Sequence, residues 1–279
     1  MIPEISAEQA TGKDWDVALV GSSFASMFYL LGLPASLSVL IIESGPVLSH
    51  QEILADNTDT SVDVAQNNRS GREKTWVKNS VFGGNSNCWW GQTPRFHPDD
   101  FETKSRFGIA EDWPIRYDDL EPFYSDVEQV MQISGGGDEH ILRRTEPYPF
   151  PPHALSRSDA FLQEKDRVIL EEDEPVIEWQ GHSDYAYAGL AHAKDNLHSV
   201  FPVEVEALRT LWEPSSEAHI QGTTRMGGTN DNSVINHMLQ THEVPNVPCL
   251  GAGALPACSP ANPTLTLSAL SLRAARLDT

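Results

Sequence analysis

The chain has 279 residues, 19 basic against 40 acidic side chains, and a formal charge of −21. That length buries the core of one large or two ordinary domains. Such an acidic surface repels phosphate backbones and anionic headgroups, which excludes nucleic-acid binding and docking to acidic membranes as primary roles.

Cys88, Cys249 and Cys258 are too few and too widely spaced for a disulfide framework, and no C-x-x-C pair occurs. The opening MIPEISAEQATGKDW has no basic segment followed by an apolar one, and no apolar run reaches membrane-spanning length. These features predict a cytoplasmic protein without membrane insertion. His182, His192 and His198 stand at no metal-ligand spacing, so no metal is expected.

Residues 1–14 read as a polar tail. DVALV, at Asp16 to Val20, then predicts a short buried strand, followed by the helix-like GSSFASMFYLLGL and a second apolar run, SVLIIESG. Strand, small-residue turn, helix and strand with a terminal acid is the opening of a dinucleotide-binding βαβ unit. Glu43 lies 22 residues after Gly21, where a carboxylate accepts hydrogen bonds from a ribose. The turn departs from G-x-G-x-x-G: Ser23 and Ser26 occupy the second and third glycine positions. A Cβ at Ser23 crowds a pyrophosphate, or its hydroxyl donates to one. Taken alone this turn leaves a flavin and a nicotinamide dinucleotide both open.

FGGNSNCWWGQTPRFHPDDF, from Phe82 to Phe101, reads as a tight glycine loop whose backbone approaches something flat or charged. Trp89 and Trp90 either shape a pocket or fill core. At Cys88 a small buried thiol is expected. In EDWPIRYDDLEPFYSDVEQVMQISG, Asp118 and Glu121 predict a capping pair. Leu120, Phe123, Val127 and Val130 predict an apolar stripe ending before Gly135. SGGGDEH and TEPYPFPPHALSRSD form a Gly- and Pro-rich connection. Beyond it, VIEWQGHSDYAYAGL predicts one or two strands.

The last sixty residues hold the most chemistry. His219 stands beside glycines in AHIQGTTRMGG, and SPANPTLTLSALSLRAAR predicts a helix. Asn262 caps its first turn, Pro263 takes the first helical position, and Thr264 supplies a hydroxyl for a ligand or a free amide. Leu265, Ala269 and Leu272 recur at helical spacing, and Ala274 and Ala275 permit close packing. The helix start presents N–H groups and positive dipole to an anionic ligand or a reduced flavin. Gly251 and Gly253 allow close backbone approach. Pro248 removes a donor from a segment expected to pair as a strand.

Together, HIQGTTRMGG, the NPTLT segment, FGGNSNCWW and WPIRYDDLEPFY resemble the glucose-methanol-choline (GMC) family of FAD-dependent oxidoreductases, including its pyranose oxidase-like branch. The resemblance favours FAD over a nicotinamide. It implies an α/β fold: a Rossmann-like FAD-binding domain with a reduced α+β substrate-domain remnant. The implied parts are residues 15–140, the N-terminal FAD-binding part; 141–205, a shortened substrate or linker region; and 206–279, the return to the FAD domain.

It further implies hydride transfer from a carbinol carbon to flavin N5, with His219 as base and Asn262 orienting the substrate oxygen. The cofactor contacts it implies are Gly21, Ser22, Ser23, Ala25, Glu43, Gly84, Asn85, Ser86, Asn87, Gly253, Pro263 and Thr264. Cys88 stands where some relatives carry a flavin-linking histidine, so a histidyl link is excluded and non-covalent FAD is favoured over a cysteinyl link. The implied partners are an alcohol, sugar or polyol, an unidentified electron acceptor, and a possible complementing subunit. Family members are close to twice this length, and the missing part falls near FLQEKDRVIL. The competing expectation is therefore a shortened, non-catalytic homologue that acts in assembly.

Overall fold

In a computed structural model, the described residues are 4–49, 51–53, 61–62, 76–77, 79–89, 91–108, 110–136, 142–153, 167–171, 174–178, 219, 221–259 and 261–277. The chain divides into two units: Met1–Pro151 with Ala218–Thr279, and Pro152–Glu217.

The tail expected at the N-terminus contains one helical turn, α1, Ala7–Thr11, which buries no residue. Ser6 and Gln9 close it reciprocally: Gln9 N donates to Ser6 Oγ at 3.2 Å and Ser6 N to Gln9 Oε1 at 2.8 Å. Strand β1, Val17–Val20, runs parallel to β2, Val39–Ile42, with Val17 opposite Val39 and Val20 opposite Ile42. Parallel neighbours need a crossover, and α2, Phe24–Gly32, lies between them in the chain. Leu19 is buried whereas Val20 is 81% exposed, so the pair is covered unequally.

Two residues of β3, Ser61–Val62, pair antiparallel with β4, Trp76–Val77. A 3₁₀ turn at Pro98–Phe101 leads into α3, Thr103–Phe107, whose first amides at Lys104 and Ser105 donate to Asp112 Oδ1 at 2.9 and 3.0 Å. Helix α4 spans Tyr117–Met131. Its cap is not the expected Asp118–Glu121 pair: Arg116 N donates to Asp119 Oδ2 at 2.8 Å, while Glu121 is buried in an ion cluster. The expected stripe is interior at Leu120 and Val127, but Val130 is 55% exposed. The helix closes at Gln132, whose φ is +55°.

In the second unit, β5, Arg167–Glu171, and β6, Glu174–Glu178, form an antiparallel hairpin. The other strand expected beyond Glu178 lies outside the described residues.

The C-terminal stretch before the last helix is built from turns and isolated bridges. Pro248 bridges Gln240, and the neighbouring bonds run from Thr241 N to Val247 O at 3.2 Å and from Cys249 N to Leu239 O at 2.8 Å. In an antiparallel pair such a position makes no ladder bond of its own, so proline removes nothing there. The final helix, α5, spans Thr264–Leu277.

Helix α5 is enclosed almost all round: Leu265, Ala269, Leu272, Ala274 and Ala275 are buried. It packs on α2 and α4. A Cβ added at Gly32 would stand 2.6 Å from Ala275 Cβ, so the glycine and the alanine set how closely α2 and α5 approach. Phe96, Phe101, Trp113, Leu120, Tyr124 and Val127 extend this core. No helix among the described residues is long and apolar enough to cross a membrane.

Candidate functional site

Chain ends and turns gather at the N-terminus of α2. Gly21 leaves β1 with φ +86°, its N–H donating to Ile42 O at 2.8 Å, and a Cβ built on it meets nothing within 4 Å. Positive φ and open space together are what a glycine supplies at such a turn. Ser22 is buried and bonds in two directions. Its hydroxyl donates to Glu43 Oε2 at 2.6 Å and accepts from Gly83 N at 2.7 Å. One serine therefore joins the first turn, the end of β2 and the glycine loop.

Glu43 Oε1 accepts from Ser44 N at 2.7 Å, Ser44 Oγ at 3.2 Å and Gly45 N at 3.3 Å. Burial opposes its charge, but the bonds from Ser22, Ser44 and Gly45 outweigh that and hold the carboxyl below its usual range. Each carboxylate oxygen has two lone pairs, so Oε2 retains room for one further donor.

Ser23 is the N-cap residue of α2 and makes no side-chain capping bond. A Cβ on Gly84 (φ +52°) would meet Ser23 Cβ at 3.6 Å, and one on Gly251 (φ +91°) would meet Ala25 Cβ at 3.9 Å. Gly21, Ser22, Ser23, Ala25, Glu43 and Gly84 thus lie around one helix end.

The polar residues of the glycine loop hold the loop itself. Asn85 Oδ1 accepts from Asn79 N at 2.9 Å, and Ser86 Oγ donates to Gly83 O at 2.6 Å. Asn87 Nδ2 donates to Phe82 O at 3.0 Å and Gly84 O at 3.1 Å. Trp89 sets its ring edge-to-face on Phe24, 4.8 Å between centroids, while Trp90 lies outside the described residues. The buried thiol expected at Cys88 is instead exposed. It closes the 3₁₀ turn Gly84–Asn87, its backbone N–H donating to Asn85 O at 3.2 Å and its Sγ to the same oxygen at 3.6 Å.

The segment after His219 lies along the turn at 252–254: Gly222 N donates to Ala252 O at 3.3 Å, Thr224 N to Gly253 O at 3.0 Å and Met226 N to Ala254 O at 2.9 Å. The space beside Gly253 is filled by the Thr223 and Thr224 hydroxyls, which a Cβ would meet at 2.7 and 2.8 Å. That glycine admits protein. His219 itself is exposed, and among the described residues no hydrogen bond joins it to Asn262.

Asn262 does not cap the last helix. The first helical bond runs from Leu267 N to Pro263 O at 2.8 Å, so Pro263 is the cap residue and Thr264 the first helical one. Asn262 stands one residue earlier, and its Nδ2 donates to Gln92 Oε1 at 2.6 Å.

Three features escape a reading of the sequence. Gln92 is the first. Gln221 is the second: its Oε1 is buried with no donor among the described residues. The third is the cluster at Arg95, whose side chain is fully buried. Arg95 Nε and Nη2 donate to Glu128 at 2.9 and 2.8 Å, and Nη1 to Glu121 at 3.0 Å and the Tyr117 hydroxyl at 3.1 Å. Burial opposes the Arg95 charge, and the bonds to Glu128 and Tyr117 overcome it, so the guanidinium is held charged. The RxxP spacing gave no sign of this partner set. Nearby, the Tyr124 hydroxyl meets Thr266 Oγ1 at 2.7 Å and accepts from Phe96 N at 3.4 Å.

A family model described as GMC oxidoreductase matches residues 181–271. The chain is 32% identical over 85 residues to the fructose dehydrogenase large subunit of Gluconobacter japonicus, covering 28% of this chain and 16% of that one. It is 47% identical over 64 residues to a C-glycoside 3-oxidase of Arthrobacter globiformis, covering 23% and 12%. With a 2-methyl-1,2-propanediol dehydrogenase of Mycolicibacterium austroafricanum it shares 35% over 92 residues, covering 30% and 16%. The matches thus span less than a fifth of each of these relatives. Among solved structures, a pyridoxine 4-oxidase from Mesorbium loti aligns with a TM-score of 0.35 at 20% identity, over 54% of this chain and 31% of its own. The matched family region contains both His219 and Asn262, and that match and these relatives support a likeness to the GMC oxidoreductases.

Proposed function

We propose that this chain is an FAD-dependent oxidoreductase acting on CH–OH groups of an alcohol, sugar or polyol. The observation that carries the reading is the Ser22 hydroxyl, which joins the Gly21 turn, Glu43 and the Gly83 loop at the start of α2. Members of the GMC family bind FAD, and two features of this site fit it. Open space lies before Gly21 at a helix N-terminus, which suits a pyrophosphate. Gln221 holds a buried acceptor that a ligand N–H satisfies.

Bound FAD supplies the hydride acceptor. Gly21 and the amides of α2 would hold its phosphates, with the Ser23 hydroxyl as a further donor, and Glu43 would hold a ribose hydroxyl. His219 would take the alcohol proton. Asn262 hydrogen-bonds the substrate oxygen and orients it. The positive end of α5, at Pro263 and Thr264, lowers the energy of developing negative charge. Non-covalent FAD fits better than a cysteinyl link, because the Cys88 thiol donates to Asn85 O within its own turn. A sugar or polyol donor is the preferred class, as in the pyranose oxidase-like branch.

The exposure of His219 favours a second reading, a shortened homologue that folds without catalysing and serves in assembly. An absorbance spectrum of the purified protein separates the two. Flavin bands bleached by a sugar or alcohol support the enzyme, and His219→Ala then keeps the flavin while bleaching slows by about 10²–10⁴-fold. A protein that stays colourless in excess FAD overturns the proposal.

A further inference from the structure

The bond between Asn262 and Gln92 links residues 170 positions apart. Gln92 is exposed and Asn262 half-buried. Both are held by neighbours that are themselves tied. Ser259 Oγ donates to Asp100 Oδ2 at 2.8 Å, and Ala261 N donates to Ser259 Oγ at 3.0 Å. The same Asp100 oxygen accepts from His97 N at 2.8 Å. The stretch carrying Asn262 is therefore laced to the stretch carrying Gln92 at two points, Asp100 and Gln92 itself.

A side-chain amide has two donors on nitrogen and two acceptor lone pairs on oxygen. Its terminal torsion is broad and nearly two-fold, so an amide without a fixed partner presents either atom to a ligand. The bond to Gln92 occupies one Asn262 N–H and fixes the amide plane. Oδ1 and the second N–H then face away from Gln92 in a set order.

We infer that Gln92 is a positioning residue, selecting which face of the Asn262 amide meets the substrate oxygen. This rests on the reading of Asn262 as the residue that binds that oxygen. Gln92 touches neither substrate nor cofactor in this role. It acts by keeping Asn262 from turning over.

Two measurements test it. In ¹⁵N-labelled protein without substrate, the Asn262 side-chain amide gives two proton signals, one of them moved downfield by the bond to Gln92. Gln92→Ala collapses that displacement, and Gln92→Glu, which keeps an acceptor and removes the donor, retains it. In single-turnover bleaching of the flavin by a sugar or alcohol, Gln92→Ala loses about five- to tenfold in kcat with KM little changed. Gln92→Glu restores most of the rate. An Asn262 signal that is the same in wild type and Gln92→Ala overturns the inference, whatever the rates. Asn262→Ala separates this from the parent reading. If Asn262→Ala bleaches as fast as wild type, the substrate role of Asn262 fails. If Asn262→Ala is slow while Gln92→Ala bleaches normally, only the positioning role fails.

Discussion

Ser22 and Glu43 carry the site's local electrostatics. The Glu43 carboxyl is held below its usual range, so its contribution to stability is fully present above the unfolded value, about pH 4. It is lost as pH falls through the lower folded value. Glu43→Gln removes the charge while keeping an acceptor. Thermal melts at pH 7 should place the variant below wild type, and the gap should narrow as the pH is lowered below about 4. A gap that widens in acid contradicts the assignment. Little of this was legible beforehand. The sequence placed an acid at the end of β2 and the resemblance made Ser22 a cofactor contact, but nothing in it showed Ser22 bonding to Glu43 and Gly83. Its partner Gly83 is 61 positions away, and such a bond leaves no local pattern.

Helices α2, α4 and α5 were legible for a plain reason. A buried helix announces itself by spacing, and Leu265, Ala269 and Leu272 recur as a helical face requires. Their ends were not legible. Pro263 capped where it was expected to be helical, and Arg116 with Asp119 displaced the Asp118–Glu121 pair. Several polar residues compete for one cap, and packing decides between them. The α2–α5 contact is set by Gly32 against Ala275. Gly32→Val drives a side chain into Ala275 Cβ and the Leu272 carbonyl, and overpacking of this kind costs about 1–3 kcal/mol. Urea denaturation should show a lowered midpoint with an unchanged slope. Gly32→Ala already places its Cβ in the same conflict, so it should lie between Val and wild type.

At the scale of the first unit, the Arg95 cluster ties distant parts of the chain together. It joins the segment after the glycine loop to α4 and to the stretch at Arg143–Thr145. Arg143 O accepts from Arg95 Nη1 at 3.3 Å, and Thr145 N donates to Glu121 Oε1 at 2.8 Å. Arg95→Met leaves Glu128 paired with Arg144 but takes the guanidinium from buried Glu121, so it should destabilise by about 3–5 kcal/mol. Burial then raises the Glu121 pKa in the variant. The sign reverses relative to Glu43: stability is favoured below the unfolded value and falls as pH rises. Chemical denaturation of Arg95→Met at pH 5 and pH 8 should therefore show the larger deficit at pH 8. The likeness to the family was legible from short motifs because each is local. The cluster was not, because its hydrogen bonds join segments up to 48 residues apart and its charges look in sequence like an ordinary solvated surface.

The Tyr124 hydroxyl has a reach beyond its own burial. Its two neighbours, Phe96 N and Thr266 Oγ1, each stand four residues beyond a member of the exposed pair, Gln92 and Asn262. A single oxygen in the dry interior thus works as a calliper, gauging from inside a span that is read outside. Water competes for every contact at the surface, yet it has no access to the jaw that sets this one.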